Sequence, residues 1–348
     1  MSQFEKRLAL RVRAHLSGAA PGIKLQVYRN GRKLCDISEG ETYPHYDLAS
    51  LTKIIFTVPA LMTAFDERRW TLETKASDFW PSFPAPGIEI AQLLTHSAGA
   101  VWWYPFYREI DLDSSESQRR AWLKAKIESL EWRSSDESVY SDIGMLALGF
   151  CLEEMVQKPL FEVWEDLKQR LYPGLYSLTF HPGNRAPEPK NCYAPTENCP
   201  WRGRLMQGEV HDENAWALGG VSSHAGLFSS VDDLSGYGMF LRNCLLGASN
   251  AVAPETMKLF ARRARPPGRG DWALGFMMPS ASNASCGRYF SSESIGHTGF
   301  TGTSLWYDPS NDLLVTIVSN RVFLGRERED FKRLRPMIHD WVVEELNC

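Results

Sequence analysis

The chain has 348 residues, 43% of them hydrophobic and 23% charged, with a formal net charge of -4. That length suits one large domain or two coupled ones. The near-balanced charge leaves no basic stripe for nucleic acid, and no run of about 18 apolar residues is present to span a membrane. Seven cysteines, odd in number and scattered, fit reduced thiols rather than a disulfide framework.

From the N-terminus, MSQFEKRLALRVRAHL alternates charge with apolar residues at helical spacing and predicts a helix over 3–16. It has neither the continuous apolar run nor the cleavage site of a signal peptide, so the expected location is the cytoplasm. GIKLQVYRNGRKLCDISEG reads as two alternating strands about an Asn30-Gly31 turn, the strongest short hairpin signal. DLASLTKIIFTVPALM opens an apolar helix expected to end near Arg68 or Arg69. ESQRRAWLKAKIESL and YSDIGMLALGFCLEEMVQ predict further helices, the second apolar all round and therefore central. Between 173 and 215 the chain is rich in Pro, Gly and Asn and reads as a long packed loop. SVDDLSGYGMFLRNCLLG is a helix capped by Ser229 or Ser230. WALGFMMPS, SIGHTGFTGTSLWYD and DLLVTIVSNR are each expected to be a strand, the last two joined by the DPSND turn, and REDFKRLRPMIHDWVVEEL closes the chain as a helix. Strands at both ends with helices between them predict an α+β fold. Its antiparallel sheet, flanked by the terminal helices, is built from 1–66 and 270–348, a mainly helical region (67–269) is inserted, and a site is expected where the two meet.

Chemistry enters where an ammonium meets a greasy helix start. Ser50 and Lys53 are three residues apart, so a helix places them on one face. Either Lys53 runs out to water and Ser50 merely caps, or a desolvated Lys53 takes the proton that makes Ser50 a nucleophile. Tyr140, Ser141 and Asp142 open the central helix. There a tyrosine facing a lysine serves as phenolate or proton shuttle, and Asp142 is within reach of pairing with Lys53. The strand IGHTGFTGTSLWYD carries two early glycines, which weaken a strand unless something approaches its backbone closely. The aromatic run VWWYPFY (101–107) fits either a pocket mouth or buried packing. GEVHDENA (208–215) gathers His211, Asp212, Glu213 and Asn214, a loop anchor more readily than a metal or second acid/base site. Cys192, Cys199 and His211 are loosely spaced for zinc, and neither metal nor cofactor is expected.

Ser50-Leu51-Thr52-Lys53, Tyr140-Ser141-Asp142 and His297-Thr298-Gly299, spaced by 90 and 157 residues, resemble in order the three motifs of the penicillin-recognising serine hydrolases. That superfamily includes class C β-lactamases, D,D-carboxypeptidases, D-aminopeptidases and esterases. LLTHSAG (93–99) and LGGVSSHAGLFSSVDDL (218–234) resemble two supporting segments, and the resemblance covers about residues 20–345. It implies a β-lactamase-like fold and Ser50 as the acylated nucleophile, with Lys53 and Tyr140 moving its proton. It also implies an oxyanion hole made by the backbone N–H groups of Ser50 and Phe300. Asp142, His297, Thr298, Gly299 and His224 would contact a small-molecule or short-peptide substrate. His96 is expected to be a structural hydrogen-bonder. Two residues depart from the pattern. Asp142 stands where asparagine is usual and, ionised, only accepts hydrogen bonds. His297 stands where lysine is frequent, and histidine carries charge only near or below about pH 6.5. Weaker selection for substrates with a free carboxylate follows. Two other readings stay open: a non-catalytic relative kept for binding or assembly, and a zinc hydrolase using His211 and the cysteines.

Overall fold

The computed structural model describes residues 2–347. Helix α1 (Gln3–Leu16) starts at a capping box in which Ser2 and Glu5 satisfy each other's backbone N–H groups. Strands β1 (Gly22–Arg29) and β2 (Arg32–Gly40) follow, joined through Asn30 and Gly31, both with positive φ (50° and 73°). That is the two-residue turn whose twist matches a hairpin. Three strands from the far end complete the sheet: β3 (Ile295–Thr298), β4 (Ser304–Asp308) and β5 (Leu313–Ser319). The order is β2-β1-β5-β4-β3 and every pairing is antiparallel, with Leu25 opposite both Ile37 and Ile317. The chain thus has the expected α+β, β-lactamase-like fold.

One face of the sheet is covered by α1 and the C-terminal helix α7 (Asp330–Leu346), which share a core of Leu8, Val12, Leu25, Ile317, Leu334 and Ile338. The other face meets helix α6 (Val231–Leu245), capped by Ser230. Although α6 falls within 67–269, it packs on β1, β4 and β5, so the larger core runs unbroken from the helical region to the sheet. Helices α3 (Glu116–Glu128), α4 (Asp142–Val156) and α5 (Leu160–Leu171) build that region, and eleven of the fifteen residues of α4 are buried. The six described cysteines are free thiols. No helix among the described residues is long and apolar enough to cross a membrane.

The structure differs from expectation in three places. The helix after Ser50 begins as a π turn over Lys53–Thr57 before continuing as α2 (Val58–Asp66). Pro59 has no N–H to offer the preceding turn, and the carbonyls of Ile54 and Ile55 are met instead by the hydroxyls of Tyr237 and Tyr172. WALGFMMPS is not a strand. Gly275 (φ 89°) folds it back on itself, and only Met277 bridges to Gly296 at the sheet edge. SIGHTGFTGTSLWYD is not one strand but the β3–β4 hairpin, broken at Gly299–Thr303.

The two glycines of that segment have steric reasons. A Cβ on Gly296 would lie 2.6 Å from the Trp306 ring, and one on Gly299 would lie 2.0 Å from Thr303 Oγ1 and 2.5 Å from the Leu48 carbonyl oxygen. Gly299→Ala is therefore expected to destabilise the protein by about 1–3 kcal/mol through backbone displacement. Denaturant unfolding checks this, and an unchanged midpoint would show that the contact relaxes freely.

Candidate active site

The site is organised around a strained turn. Asp47 ends a two-residue strand paired with Phe228 and Ser229. Ala49 then takes a left-handed φ of 47°, a conformation that costs a residue with a Cβ roughly 1–2 kcal/mol. The buried Asp47 carboxylate holds it there. One oxygen accepts from the Ala49 N–H (2.7 Å) and the other from the His211 N–H (2.6 Å), tying the turn to the long loop. Burial pushes this carboxyl up to about 6 despite both bonds. Ser50 comes next. Among the described residues its N–H has no hydrogen-bond partner in the chain.

Lys53 projects back from the π turn and is fully buried. Its ammonium offers three donors, and three acceptors surround it: Ser50 Oγ at 2.9 Å, the His224 carbonyl at 2.8 Å and an Asp142 carboxylate oxygen at 2.8 Å. Tyr140 reaches the same place from the start of α4. There Ser141 caps the helix by accepting from the Gly144 N–H and donating to the Val101 carbonyl. The phenolic oxygen lies 2.9 Å from Ser50 Oγ and 3.0 Å from the Asp142 oxygen that also faces Lys53. Burial lowers the Lys53 pKa from its usual 10.5, and the Asp142 charge opposes this. Burial, reinforced by Asp142, holds Tyr140 well above 10. At neutral pH the phenol therefore keeps its proton. A weakened amine and a neutral phenol both touch one hydroxyl, an arrangement able to withdraw a proton from Ser50 and return one elsewhere.

The edge strand β3 forms the opposite wall. His297 is buried, its Nδ1–H donates to the Thr298 carbonyl (2.8 Å), and burial lowers its pKa to about 3, with the Lys53 charge adding to the effect. It adds no positive charge near neutral pH. After Thr298 and Gly299 comes Phe300, 42% exposed, whose N–H has no partner among the described residues. A cavity of about 640 Å³ opens over Ser50, Tyr140, Trp102, Trp272, His297 and Phe300.

Ser50, Lys53, Tyr140 and Asp142 are thus in mutual contact, and His297, Thr298 and Gly299 line the same cavity. His224 is placed differently from expectation. Its ring is buried, hydrogen-bonded to Ser222 Oγ (2.7 Å) and Asp212 (3.0 Å), and the residue gives the site its carbonyl rather than its imidazole. His96 accepts from the Ser141 N–H, with its ring 4.9 Å from that of Tyr140. The run 101–107 does both jobs proposed for it: Trp102 and Trp103 line the cavity, and Phe106 and Tyr107 are buried. In 208–215, Asp212 caps the short helix Glu213–Ala217, and Asn214 bonds the backbones of Tyr104 and Tyr107. Cys199 lies with Glu197 and Glu213, not with Cys192 and His211, and Arg326 already donates to both carboxylates. Two contributors escaped the sequence reading. Trp272 stacks on Tyr140, and Asp47 fixes the turn. For Asp47 the available signal was an acid inside an otherwise apolar DLAS approach.

Burial has a consequence for pH. His181, His211 and His339 are lowered to about 4 and His297 to about 3, each chiefly by burial, and His96 is also depressed. A histidine whose folded pKa lies below its unfolded value contributes stability that is whole above about 6.5. That stability is lost as pH falls, by up to about 1.4 kcal/mol per pH unit each. Asp47 acts in the opposite sense, its contribution being lost as pH rises through about 6. The histidines outnumber it, so the melting temperature is expected to drop by on the order of 10 °C between pH 7 and pH 5. A flat melting curve over that range would contradict this balance.

Comparison with known proteins gives a consistent picture. The family model described as Beta-lactamase matches residues 4–335. An N-acetylmuramyl-L-alanine amidase of Bacillus subtilis (strain 168) is 28% identical over 356 residues, covering 88% of this chain and 78% of that protein. Among solved structures, a D-amino acid amidase from Ochrobactrum anthropi SV3 has a TM-score of 0.71 at 18% identity, with 99% of each chain covered. EstCE1, a hydrolase with promiscuous acyltransferase activity, has a TM-score of 0.71 at 19% identity, with 98% of each chain covered.

Proposed function

Because the chain belongs to the Beta-lactamase family of hydrolases, we propose that it is a serine hydrolase that cuts an ester or amide bond through an acyl-enzyme on Ser50. The observation that carries this reading is the convergence of Lys53 Nζ and the Tyr140 hydroxyl on Ser50 Oγ, each at 2.9 Å. The fraction of Lys53 present as neutral amine, which burial raises, takes the Ser50 proton while the oxygen attacks the substrate carbonyl carbon. The carbonyl oxygen becomes an oxyanion between the N–H groups of Ser50 and Phe300. As the C–O or C–N bond breaks, Tyr140 gives its phenolic proton to the leaving group. The proton held by Lys53 then restores the phenol by way of the Asp142 oxygen that touches both. Water attacks the acyl-enzyme by the same route in reverse and releases the acid. A zinc site built on His211 and the cysteines is disfavoured by geometry, since Cys199 lies with Glu197 and Glu213, whose carboxylates Arg326 already engages.

The names of the amidase relatives support a substrate class of D-amino-acid-containing peptides or cell-wall fragments, beside simple esters. His297 is uncharged near neutral pH and offers no cation to a substrate carboxylate. A chromogenic cephalosporin is therefore expected to have kcat/KM roughly 10–100-fold below that of p-nitrophenyl esters, the worth of one missing charge-assisted hydrogen bond. A faster cephalosporin than ester would overturn that part of the reading.

The deciding experiment is covalent labelling with a fluorophosphonate followed by peptide mass mapping. An adduct on Ser50, absent from Ser50→Ala, supports the enzyme. A folded protein that takes no label and turns over no ester, D-amino-acid amide or cephalosporin points instead to a binding or assembly role.

A further inference from the structure

Two buried arginines, both among the residues lining the cavity, hold the turn that carries Phe300. Arg321, just after β5, is 2% exposed, and Arg335, on α7, is 8% exposed. Among the described residues neither lies within 4.0 Å of a carboxylate. A buried guanidinium without a carboxylate is costly, so the groups that compensate it are informative. Here they are backbone carbonyls of one turn. Arg335 Nη1 donates to the Thr303 carbonyl (3.1 Å) and, more weakly, to the Gly299 carbonyl (3.5 Å). Arg321 Nε donates to the Phe300 carbonyl (2.9 Å), and its side chain lies over the Phe300 ring at 4.7 Å. Its other bonds go to the carbonyls of Arg326 and Arg328.

The covalent geometry gives these contacts a direction. The Gly299 carbonyl and the Phe300 N–H belong to one peptide unit, and no peptide bond among the described residues is cis. In a planar trans peptide the C=O and N–H point opposite ways. The Gly302 N–H already donates to the Gly299 carbonyl (3.1 Å), and a cation added at the carbonyl end further favours the N–H on the far side and adds to its positive end. The turn is also held by its own side chains: Thr301 Oγ1 donates to the Asp47 carbonyl (2.7 Å) and Thr303 Oγ1 to the Leu48 carbonyl (3.0 Å). The segment leading to Ser50 and the two arginines thus hold the same five residues.

We infer that Arg335, assisted by Arg321, is a positioning and electrostatic residue that orients and strengthens the Phe300 N–H as an oxyanion donor. The inference rests on the acyl-enzyme reading above. It explains why two charges without carboxylate partners persist beside the cavity although His297 supplies none. Their field favours negative charge that develops on the reacting oxygen, and it acts in the transition state more than on the neutral substrate. Burial and the neighbouring Arg321 lower Arg335 to about 10, so it stays cationic throughout the neutral range.

The test compares the parent protein with Arg335→Gln and Arg335→Lys. It reads kcat and KM for a p-nitrophenyl ester, the rate of fluorophosphonate labelling at Ser50, affinity for a boronic acid that forms a tetrahedral adduct, and the melting temperature. Arg335→Gln is expected to lower kcat/KM by 10- to 100-fold, mostly in kcat, and to weaken boronate binding in parallel. Arg335→Lys is expected to recover most of both because it keeps the charge. A merely structural arginine would lower the melting temperature while leaving the folded enzyme's kcat and boronate affinity within threefold of the parent, and that result overturns the inference. So does a lysine variant no better than glutamine. If Arg335→Gln does not fold, the lysine variant decides: kcat within a few-fold of the parent supports the charge role, and a 10-fold loss refutes it. Failure of the parent itself to label at Ser50 would overturn the acyl-enzyme reading and this inference with it. Labelling at an equal rate in parent and Arg335→Gln overturns this inference alone.

Discussion

Ser50→Ala is expected to lower turnover of any accepted ester by roughly 10⁴-fold or more, because a covalent route cannot proceed without its nucleophile. The fold should survive. Ser50 lies in a turn, and its hydroxyl is one of three acceptors around the Lys53 ammonium. With the His224 carbonyl and Asp142 still in place, the loss of that one hydrogen bond costs about 1 kcal/mol. Steady-state kinetics beside a denaturation curve make the check. A variant that keeps a tenth of the parent's kcat/KM would mean that Ser50 does not form the acyl-enzyme.

Lys53→Met should be nearly as severe for activity, at roughly 10³- to 10⁴-fold, the worth of a positioned general base. Tyr140 alone cannot replace it. Burial and Asp142 hold the phenol well above its usual pKa, so it has no appreciable phenolate with which to take the Ser50 proton. This variant, unlike Ser50→Ala, should also lose stability, by about 1–3 kcal/mol, because Asp142, half-buried at the cavity, is left without its cation. Adding Asp142→Asn removes that stranded charge. The double variant should regain much of the melting temperature and none of the activity. Recovery of both together would show that Lys53 matters only as the partner of Asp142. Retention of full activity in Lys53→Met would remove the amine from the proposed mechanism.

Much of the fold was legible because its signals are local. The Asn30-Gly31 turn, the capping of α1 and α6, and the unbroken apolar character of α4 each depend on residues within a few positions of one another. The misreadings arose where distant groups decide local conformation. WALGFMMPS has strand composition, but Gly275 folds it back against Val58, more than two hundred residues earlier. The Gly299–Thr303 break follows from the Leu48 carbonyl and the Asp47 segment, which no local pattern announces. The π turn at Lys53 is sustained by Tyr172 and Tyr237 from two other helical segments.

The sequence by itself determined the inventory: a hydroxyl, an amine, a phenol and an acid in short motifs, a glycine-marked strand, and terminal segments able to share one antiparallel sheet. These are properties of residue type and near-neighbour spacing, and both are written in the chain. Only the tertiary structure decided how each group behaves. Burial weakens the Lys53 amine, holds the Tyr140 proton and leaves His297 uncharged. The tertiary fold also turns the His224 ring toward Asp212 and sets two arginines against the carbonyls of one turn. The physical reason is that pKa and hydrogen-bond direction depend on desolvation and on partners within a few ångströms, and folding brings those partners from positions 90 to 254 residues away.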